Sequence, residues 1–463
     1  MTTKVTAAEL AAQKEYARKV RELNCAREQP PVAHVHSFGC QQNVSDGEKI
    51  KGMLADMGYG FSNSADGADL VLFNTCAVRE NAEDRVFGNL GALKHNKKQN
   101  PDMLIGVCGC MVQQEHITER IRKSFPYVDM VFGTHVLHTL PQIIYEAMTT
   151  HKRQISIPQM DGVIAEGIPL RRESALKASV PIMYGCNNFC TYCVIPYTRG
   201  RIRSLPPDEM ARQAAHLAEE GYRELVLTGI EIASYGRDLP GTLTLADAVE
   251  TVAAAAPQMR LRLGSIEPTV ITEDFCRRAA ATGQVCRHFH LSLQSGCDRT
   301  LARMNRKYTT AEFLACVERL RRYFPGCALT ADMITGFPGE TEDDQAQAVA
   351  FLEQVGFAAV HVFPYSRRPG TKADAMPEQL SHAVKSARAH AAQRVADDCK
   401  QRYLAQQIGQ ILPVLFETEQ DGRWVGHSDN YCLVSVAGDD LRGVVKNVKI
   451  SAISGQMLVG DLV

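Results

Sequence analysis

Apolar positions along the chain change spacing in a way that divides it. From residue 32 to 148, short apolar runs ("VAHVHSFG", "DLVLFNT", "MLIGVCG", "VDMVFG") alternate with amphipathic stretches such as "DGEKIKGMLADMGY" and "NAEDRVFGNLGALKHNKKQ". Runs this short and this apolar predict strands of a parallel sheet covered by helical crossovers. Ahead of them, residues 1–31 open with "MTTKVTAAELAAQKEYARKV", a polar or amphipathic helical pattern, and read as an N-terminal extension. Residues 149–178, holding "IPQMDGVIAEGIPLRRES", read as a linker. A second series occupies residues 179–407, with strands "VPIMYG", "ELVLTG", "RLRLGS", "HFHLSLQS", "LTADMITG" and "VHVFPY" separated by helices. Six βα repeats predict a partial barrel, closed by the helical pattern "SHAVKSARAHAAQRVADDCKQRYLAQQIG". Residues 408–463 turn to short alternating runs with Gly, Asp and Asn between them, the pattern of a small β-barrel.

Composition narrows the function classes. The 463 residues are 45% hydrophobic, enough to fill several cores. No run approaches the ~18 apolar residues of a membrane span, and the first residues lack the apolar core of a signal peptide, so no membrane partner and a cytoplasmic location are expected. A formal net charge of -1 means that any polyanion must be met by local basic patches. Fifteen cysteines, an odd number in a large chain, argue against a disulfide framework and for reduced thiols, some of them metal ligands.

Two cysteine groups stand out. "YGCNNFCTYC" puts Cys186, Cys190 and Cys193 directly after the first barrel strand, where α/β architectures carry their site loops. Zinc usually takes four ligands in paired C-x₂-C, and a disulfide leaves one thiol over; three thiolates on a four-iron cube leave one iron open. Cys40, Cys76 and Cys110 each sit just past a different predicted strand of the first series, about one βα unit apart, so they should converge on one sheet edge. Cys108 reads as a packed strand residue, and Cys276, Cys286, Cys316, Cys327 and Cys399 as buried small hydrophobes.

Cys-x₃-Cys-x₂-Cys with Tyr192 before the last cysteine resembles the radical S-adenosylmethionine (SAM) superfamily. With "FGCQQN", "NTCAVRENAE", "CGCMVQ" and "GCNNFCTYCVIPYTRGRIRS" together, nearly the whole chain beyond the first ~30 residues resembles the methylthiotransferases. The resemblance implies a Rossmann-like α/β domain, a radical SAM partial (βα)6 barrel and a terminal TRAM β-barrel. It implies that Cys186, Cys190 and Cys193 hold a [4Fe–4S] cluster whose open iron binds SAM, and that Cys40, Cys76 and Cys110 hold an auxiliary [4Fe–4S] cluster carrying the sulfur to be inserted. An electron donor such as flavodoxin or ferredoxin is implied with them. The chemistry agrees: replacing an unactivated C–H with C–S–CH₃ offers no acidic proton to a general base, so a radical is the reasonable route.

Weaker signals surround this core. Gly229 and Glu231 in "LTGIEIASYG" match the segment that meets the methionine end of SAM in such proteins. Ser265, Gln294 and Asp332, with Tyr192, are expected to face the same mouth as cofactor contacts. "MITGFPGE" and "HVFPYSRRPGT" match family segments near the cofactor. His288, His290 and His361 read as packed strand residues rather than ligands. Arg199, Arg201 and Arg203 after the cluster loop, Lys94, Lys97 and Lys98 in "ALKHNKK", and Lys446 and Lys449 on the terminal barrel are the candidate RNA contacts.

The substrate implied is an N6-modified adenosine at position 37 of tRNA, methylthiolated at C2. The N-terminal domain and "IMYGCNNFCTYC" look most like enzymes acting on N6-isopentenyladenosine. From about Thr228 onward, "LTGIEIASYGRDL", "HFHLSLQSG" and "GHSDNYCLVSV" look closer to those acting on N6-threonylcarbamoyladenosine. Because the base must enter the barrel, the expectation leans to the second substrate. Methylthiolation of a ribosomal-protein aspartate is disfavoured, since "IEIAS" stands where an Asp-Thr-Thr segment would favour it. A non-enzymatic iron–sulfur or RNA-binding scaffold is the remaining reading.

Overall fold

The computed structural model describes residues 5–77, 80–158, 164 and 166–463. Val78 and Arg79 of "NTCAVRENAE", the linker residues 159–163 and 165, and the first four residues of the extension lie outside them. The described chain forms two compact units.

The first unit comprises the chain up to Glu173 together with Tyr184–Asn187 and Cys193–Arg203. Its strands β1 (Val32–Ser37), β2 (Gly60–Phe61), β3 (Leu70–Thr75), β4 (Leu104–Gly109), β5 (Met130–Phe132) and β6 (Gln154–Ser156) make one sheet in the order β2-β1-β3-β4-β5-β6. All its pairings are parallel. Every residue of β3 is buried, as expected of a strand covered on both faces. The helices are α1 (Ala7–Cys25), α2 (Gln41–Asp56), α3 (Glu80–Gln99), α4 (Glu115–Ser124) and α5 (Leu140–Thr150), followed by the single turn α6 (Ile195–Thr198).

Two expectations shift here. The segment read as an extension contributes to the core: Val20 of α1 is buried with Met53, Met57 and Ile144, and Asn24 donates to the Met57 carbonyl at 2.9 Å. The stretch read as a linker contains a strand, β6, because Gln154–Ser156 completes the ladder left open beside β5. Three residues are too few for periodicity to register.

The second unit comprises Ser174–Met183, Asn188–Tyr192 and Ser204–Val463. The strands running through it are β7 (Lys177–Tyr184), β8 (Arg203–Ser204), β9 (Glu224–Gly229), β10 (Arg260–Leu263), β11 (His288–Gln294), β12 (Ala328–Thr335) and β13 (Ala359–Pro364). They form two sheets, β10-β9-β7-β8 and β11-β12-β13, and the parallel bridge from Ile266 to Leu291 carries the curvature from one to the other. Six parallel strands thus make the expected partial barrel. Helices α7 (Pro207–Glu219), α8 (Leu245–Ala255), α9 (Glu273–Ala281), α10 (Asp298–Arg303), α11 (Thr310–Tyr323), α12 (Glu342–Val355) and α13 (His382–Ala405) accompany them. Capping boxes start three of these, with Thr244 and Asp247, Thr309 and Glu312, and Thr341 and Asp344 satisfying each other's backbone donors.

After α13, strands β14 (Ile411–Gln420), β15 (Arg423–Ser428), β16 (Leu433–Val436), β17 (Val445–Ser454) and β18 (Met457–Leu462) close into a barrel in the order β14-β15-β16-β18-β17. It is tied to the βα strands within the same unit: Lys177 pairs with Glu417 at 2.6 Å and Arg287 with Asp429 at 2.7 Å. Among the described residues no helix is long and apolar enough to cross a membrane.

Candidate functional site

In the first unit, strand order decides the site. β1, β3 and β4 are neighbours, and Cys40, Cys76 and Cys110 follow their C-terminal ends. Cys40 is the N-cap of α2 and is exposed, while Cys76 and Cys110 are buried, so the trio opens outward on one side. Gly39 has φ +111°, and a Cβ there would lie 2.3 Å from the Cys76 Cβ; only glycine lets the β1 loop cross Cys76. Asn43 then laces the strand ends together, donating to the carbonyls of Phe38 and Thr75 at 2.8 Å each. Asn74 donates to the Asn43 carbonyl at 2.7 Å, and the Thr75 hydroxyl to the Cys108 carbonyl at 2.6 Å. Cys108 itself lies inside β4 and is fully buried, as the sequence suggested.

The Cys40 thiol is pulled down to about 6 by its hydrogen bond with Cys76, helped by the charge of Arg199. Burial pushes the Cys110 thiol up, with Arg199 opposing it. Arg199 comes from the loop after Cys193. Its Nε donates to Cys110 Sγ at 2.9 Å, one terminal nitrogen donates to Asn43 Oδ1 at 2.8 Å, and the other pairs with Asp46 at 2.6 Å. Asp46 and Arg199 also line a polar cavity with Lys49, Thr134, Tyr184 and Arg203.

This corrects the RNA expectation for that loop. Arg199 is 5% exposed and Arg203 7%, and Arg203 donates to the carbonyls of Arg201 and Arg199 at 2.8 and 3.0 Å. Only Arg201 faces solvent. The loop is pinned because Cys186 donates its backbone N–H to the Gly200 carbonyl at 3.1 Å, drawing the arginines inward. Lys97 is likewise structural, paired with Asp129 at 2.9 Å, whereas Lys94, Lys98, Lys446 and Lys449 are exposed.

Of the other cysteine trio, Cys186 and Cys193 belong to the first unit and Cys190 to the second. In the second unit, Asn188 bridges two buried carboxylates, donating to Glu231 at 3.0 Å and Glu267 at 3.2 Å. Arg306 pairs with Glu267 at 3.1 Å and donates to Cys190 Sγ at 3.2 Å. The two buried carboxylates repel each other, and the charges of Arg306 and Arg237 oppose that only in part. Burial, and then the Glu267 charge, push Glu231 up to about 7. Gly229 ends β9 directly before this loop. Tyr192 stacks edge-on to Phe337, with centroids 6.4 Å apart.

The remaining predicted contacts are scattered. Gln294 ends β11 with φ +63°. Ser265 lies exposed past β10. Asp332 is not at a strand end: it sits in mid-β12 with His290 Nε2 3.4 Å away. His288 is buried and His290 half-buried, but His361 is exposed on β13 rather than packed. The five cysteines read as core residues are all buried. Among the described residues no three His, Cys, Asp or Glu side chains close around a single ion. A four-iron cube spreads its thiolates more widely than one ion does, and thiols are the donor type that such a cube takes.

Asn43, Asp46, Asn188, Glu267 and Arg306 were not singled out from the sequence. Asn43 stands in the first turn of α2 and Asp46 in the second, and polar residues near a helix start are ordinary.

The family models match in two places: residues 32–133 match "Uncharacterized protein family UPF0004", and residues 180–352 match the "Radical SAM superfamily". The tRNA-2-methylthio-N(6)-dimethylallyladenosine synthase of Caldicellulosiruptor saccharolyticus is 39% identical over 93% of this chain and 92% of its own. The enzyme of that name from Thermoanaerobacter sp. is 38% identical over 99% of this chain and 98% of its own. The chain belongs to the radical SAM methylthiotransferases. Iron–sulfur clusters of the [4Fe–4S] type and SAM are the cofactors that this membership brings. Among solved structures, the radical S-adenosylmethionine methyltransferase TsrM from Kitasatospora setae shares the fold, with a TM-score of 0.52 and 15% identity over 74% of this chain and 77% of that one.

Proposed function

We propose that this methylthiotransferase acts on tRNA and converts N6-dimethylallyladenosine (N6-isopentenyladenosine) at position 37 to its 2-methylthio derivative. The carrying observation is the shared name of near-full-length relatives at 37–39% identity. It reverses the leaning toward N6-threonylcarbamoyladenosine, which rested on short segments after Thr228. Each such segment is about ten residues long, whereas the relatives match over 93–99% of the chain.

In this reading Cys186, Cys190 and Cys193 hold the cluster that engages SAM, and Cys40, Cys76 and Cys110 hold the auxiliary one. When bound, these groups supply one-electron chemistry for an unactivated C–H bond and the sulfur to be inserted. The chain's own residues supply charge and orientation. Glu231 and Glu267, bridged by the Asn188 amide with Arg306 paired to Glu267, suit a cationic ligand group such as the SAM ammonium. Gly229 and Gln294 border the barrel strands' C-terminal ends, where βα barrels bind ligands. Exposed Lys446 and Lys449 are available to phosphates, and Arg201 is a further exposed cation on the cluster loop.

The test is mass spectrometry of tRNA nucleosides from a deletion strain. Loss of 2-methylthio-N6-dimethylallyladenosine, with accumulation of the unmethylthiolated nucleoside and recovery on complementation, is the expected result. Loss of the 2-methylthio threonylcarbamoyl nucleoside instead would overturn the substrate.

A further inference from the structure

We propose that Arg199 is a positioning residue of the auxiliary centre: Asp46 and Asn43 hold its guanidinium so that Nε donates a hydrogen bond to the Cys110 sulfur and sets how much negative charge that centre carries. This rests on the reading of Cys40, Cys76 and Cys110 as cluster ligands.

Three observations carry it. First, all three nitrogens of the guanidinium are used at once, in three directions: Cys110 Sγ at 2.9 Å, Asn43 Oδ1 at 2.8 Å and Asp46 Oδ2 at 2.6 Å. A planar fork can do this; a lysine ammonium on a flexible stem cannot hold the same three partners in a plane. Second, the arrangement is braced from outside. The Arg199 carbonyl accepts from Arg203 at 3.0 Å, its N–H donates to the Ile195 carbonyl at 2.8 Å, and Asn43 is fixed by its two bonds to the ends of β1 and β3. Third, the group is buried: the side chains of Arg199 and Asp46 are 6% and 7% exposed, so bulk ions screen them little.

Hydrogen bonds and nearby charge at cluster sulfurs tune potential. A cation donating to a ligating sulfur stabilises the reduced, more negative state; a buried carboxylate beside that cation does the reverse. Removing Arg199 should therefore lower the auxiliary potential, and neutralising Asp46 should raise it. Two adjacent substitutions with opposite signs are what a purely structural contact does not produce.

The experiment uses the full chain with Cys186, Cys190 and Cys193 changed to Ala, reconstituted anaerobically, so that only the auxiliary cluster, about four irons per chain, remains. Redox titration followed by electron paramagnetic resonance reads its potential in Arg199→Met, Arg199→Lys and Asp46→Asn. The expected order is Arg199→Met lowest, Arg199→Lys between it and the parent, and Asp46→Asn above the parent. If Arg199→Met fails to hold iron, the fall in Arg199→Lys against the rise in Asp46→Asn decides. Unmoved potentials, or shifts of one sign in both positions, overturn the role of Arg199 alone. Iron that survives addition of Cys40→Ala, Cys76→Ala and Cys110→Ala overturns the ligand reading and this one with it.

Discussion

The two cysteine-bearing regions balance charge in opposite ways. Around Cys40, Cys76 and Cys110 the buried polar set centres on a cation, Arg199, which pairs with Asp46 and donates to the Cys110 sulfur. Beside Cys190 the set centres on carboxylates, Glu231 and Glu267, bridged by the Asn188 amide, with Arg306 paired to Glu267. The first surroundings favour an anionic sulfur-bearing group, the second a cationic one. This difference in charge agrees with the proposed division, in which one trio carries sulfur and the other engages SAM.

The largest expected effect comes from removing each trio in turn. Cys186, Cys190 and Cys193 changed together to Ala should leave about four irons per chain and abolish reductive cleavage of SAM. Changing Cys40, Cys76 and Cys110 instead should leave that cleavage in place while no methylthio product forms. Iron analysis and assay of 5′-deoxyadenosine check both. If both triple variants lose both activities, the comparison breaks, because the regions then do not act separately.

A smaller effect sharpens the carboxylate side. Glu231 is raised from 4.5 to about 7 in the folded chain, so the folded state binds a proton that the unfolded state has lost. Stability from this group is fully present below pH 4.5 and falls as pH rises toward about 7, by about 3 kcal/mol for a shift of this order. Denaturant titrations of the cofactor-free chain at pH 5 and pH 8 should show the fall, and Glu231→Gln should flatten it. An equally steep fall in that variant would mean that another group carries the pH dependence.

The smallest effect concerns the outer surface. Lys446→Gln with Lys449→Gln should lower the slope of log affinity for tRNA against log salt by roughly one to two, with iron content unchanged. An unchanged slope would remove these lysines from the RNA face and leave Arg201, Lys94 and Lys98 as the exposed candidates.

Much of the candidate site was legible because chemistry-bearing residues fell at strand ends. "FGC", "NTC" and "CGC" each close an apolar run, and β1, β3 and β4 end where those runs end. The arginines were misread for a physical reason. "RGRIR" has the composition of a solvated loop, and nothing local tells Arg199 or Arg203 from Arg201; burial of Arg199 depends on Cys110, 89 residues away, and on Asp46. Asp332 was expected at the barrel mouth, but β12 runs three residues beyond it to Thr335 and leaves it in mid-strand. The strand β6 escaped because it gains its identity from pairing with β5 and not from its own three residues.

Taken by itself, the sequence determined the order of elements, the two βα series and the terminal barrel, and the positions of six cysteines relative to strand ends. These follow from apolar periodicity and turn residues, which act over a few residues. Tertiary structure alone decided that β3 lies between β1 and β4, which makes three distant thiols neighbours, and that Asn188 brings Glu231 and Glu267 together. It also turned Arg199 inward. Strand order and side-chain direction are set by which faces can be buried against one another across the whole chain, and buried charges are tolerated only where such packing hands them a partner.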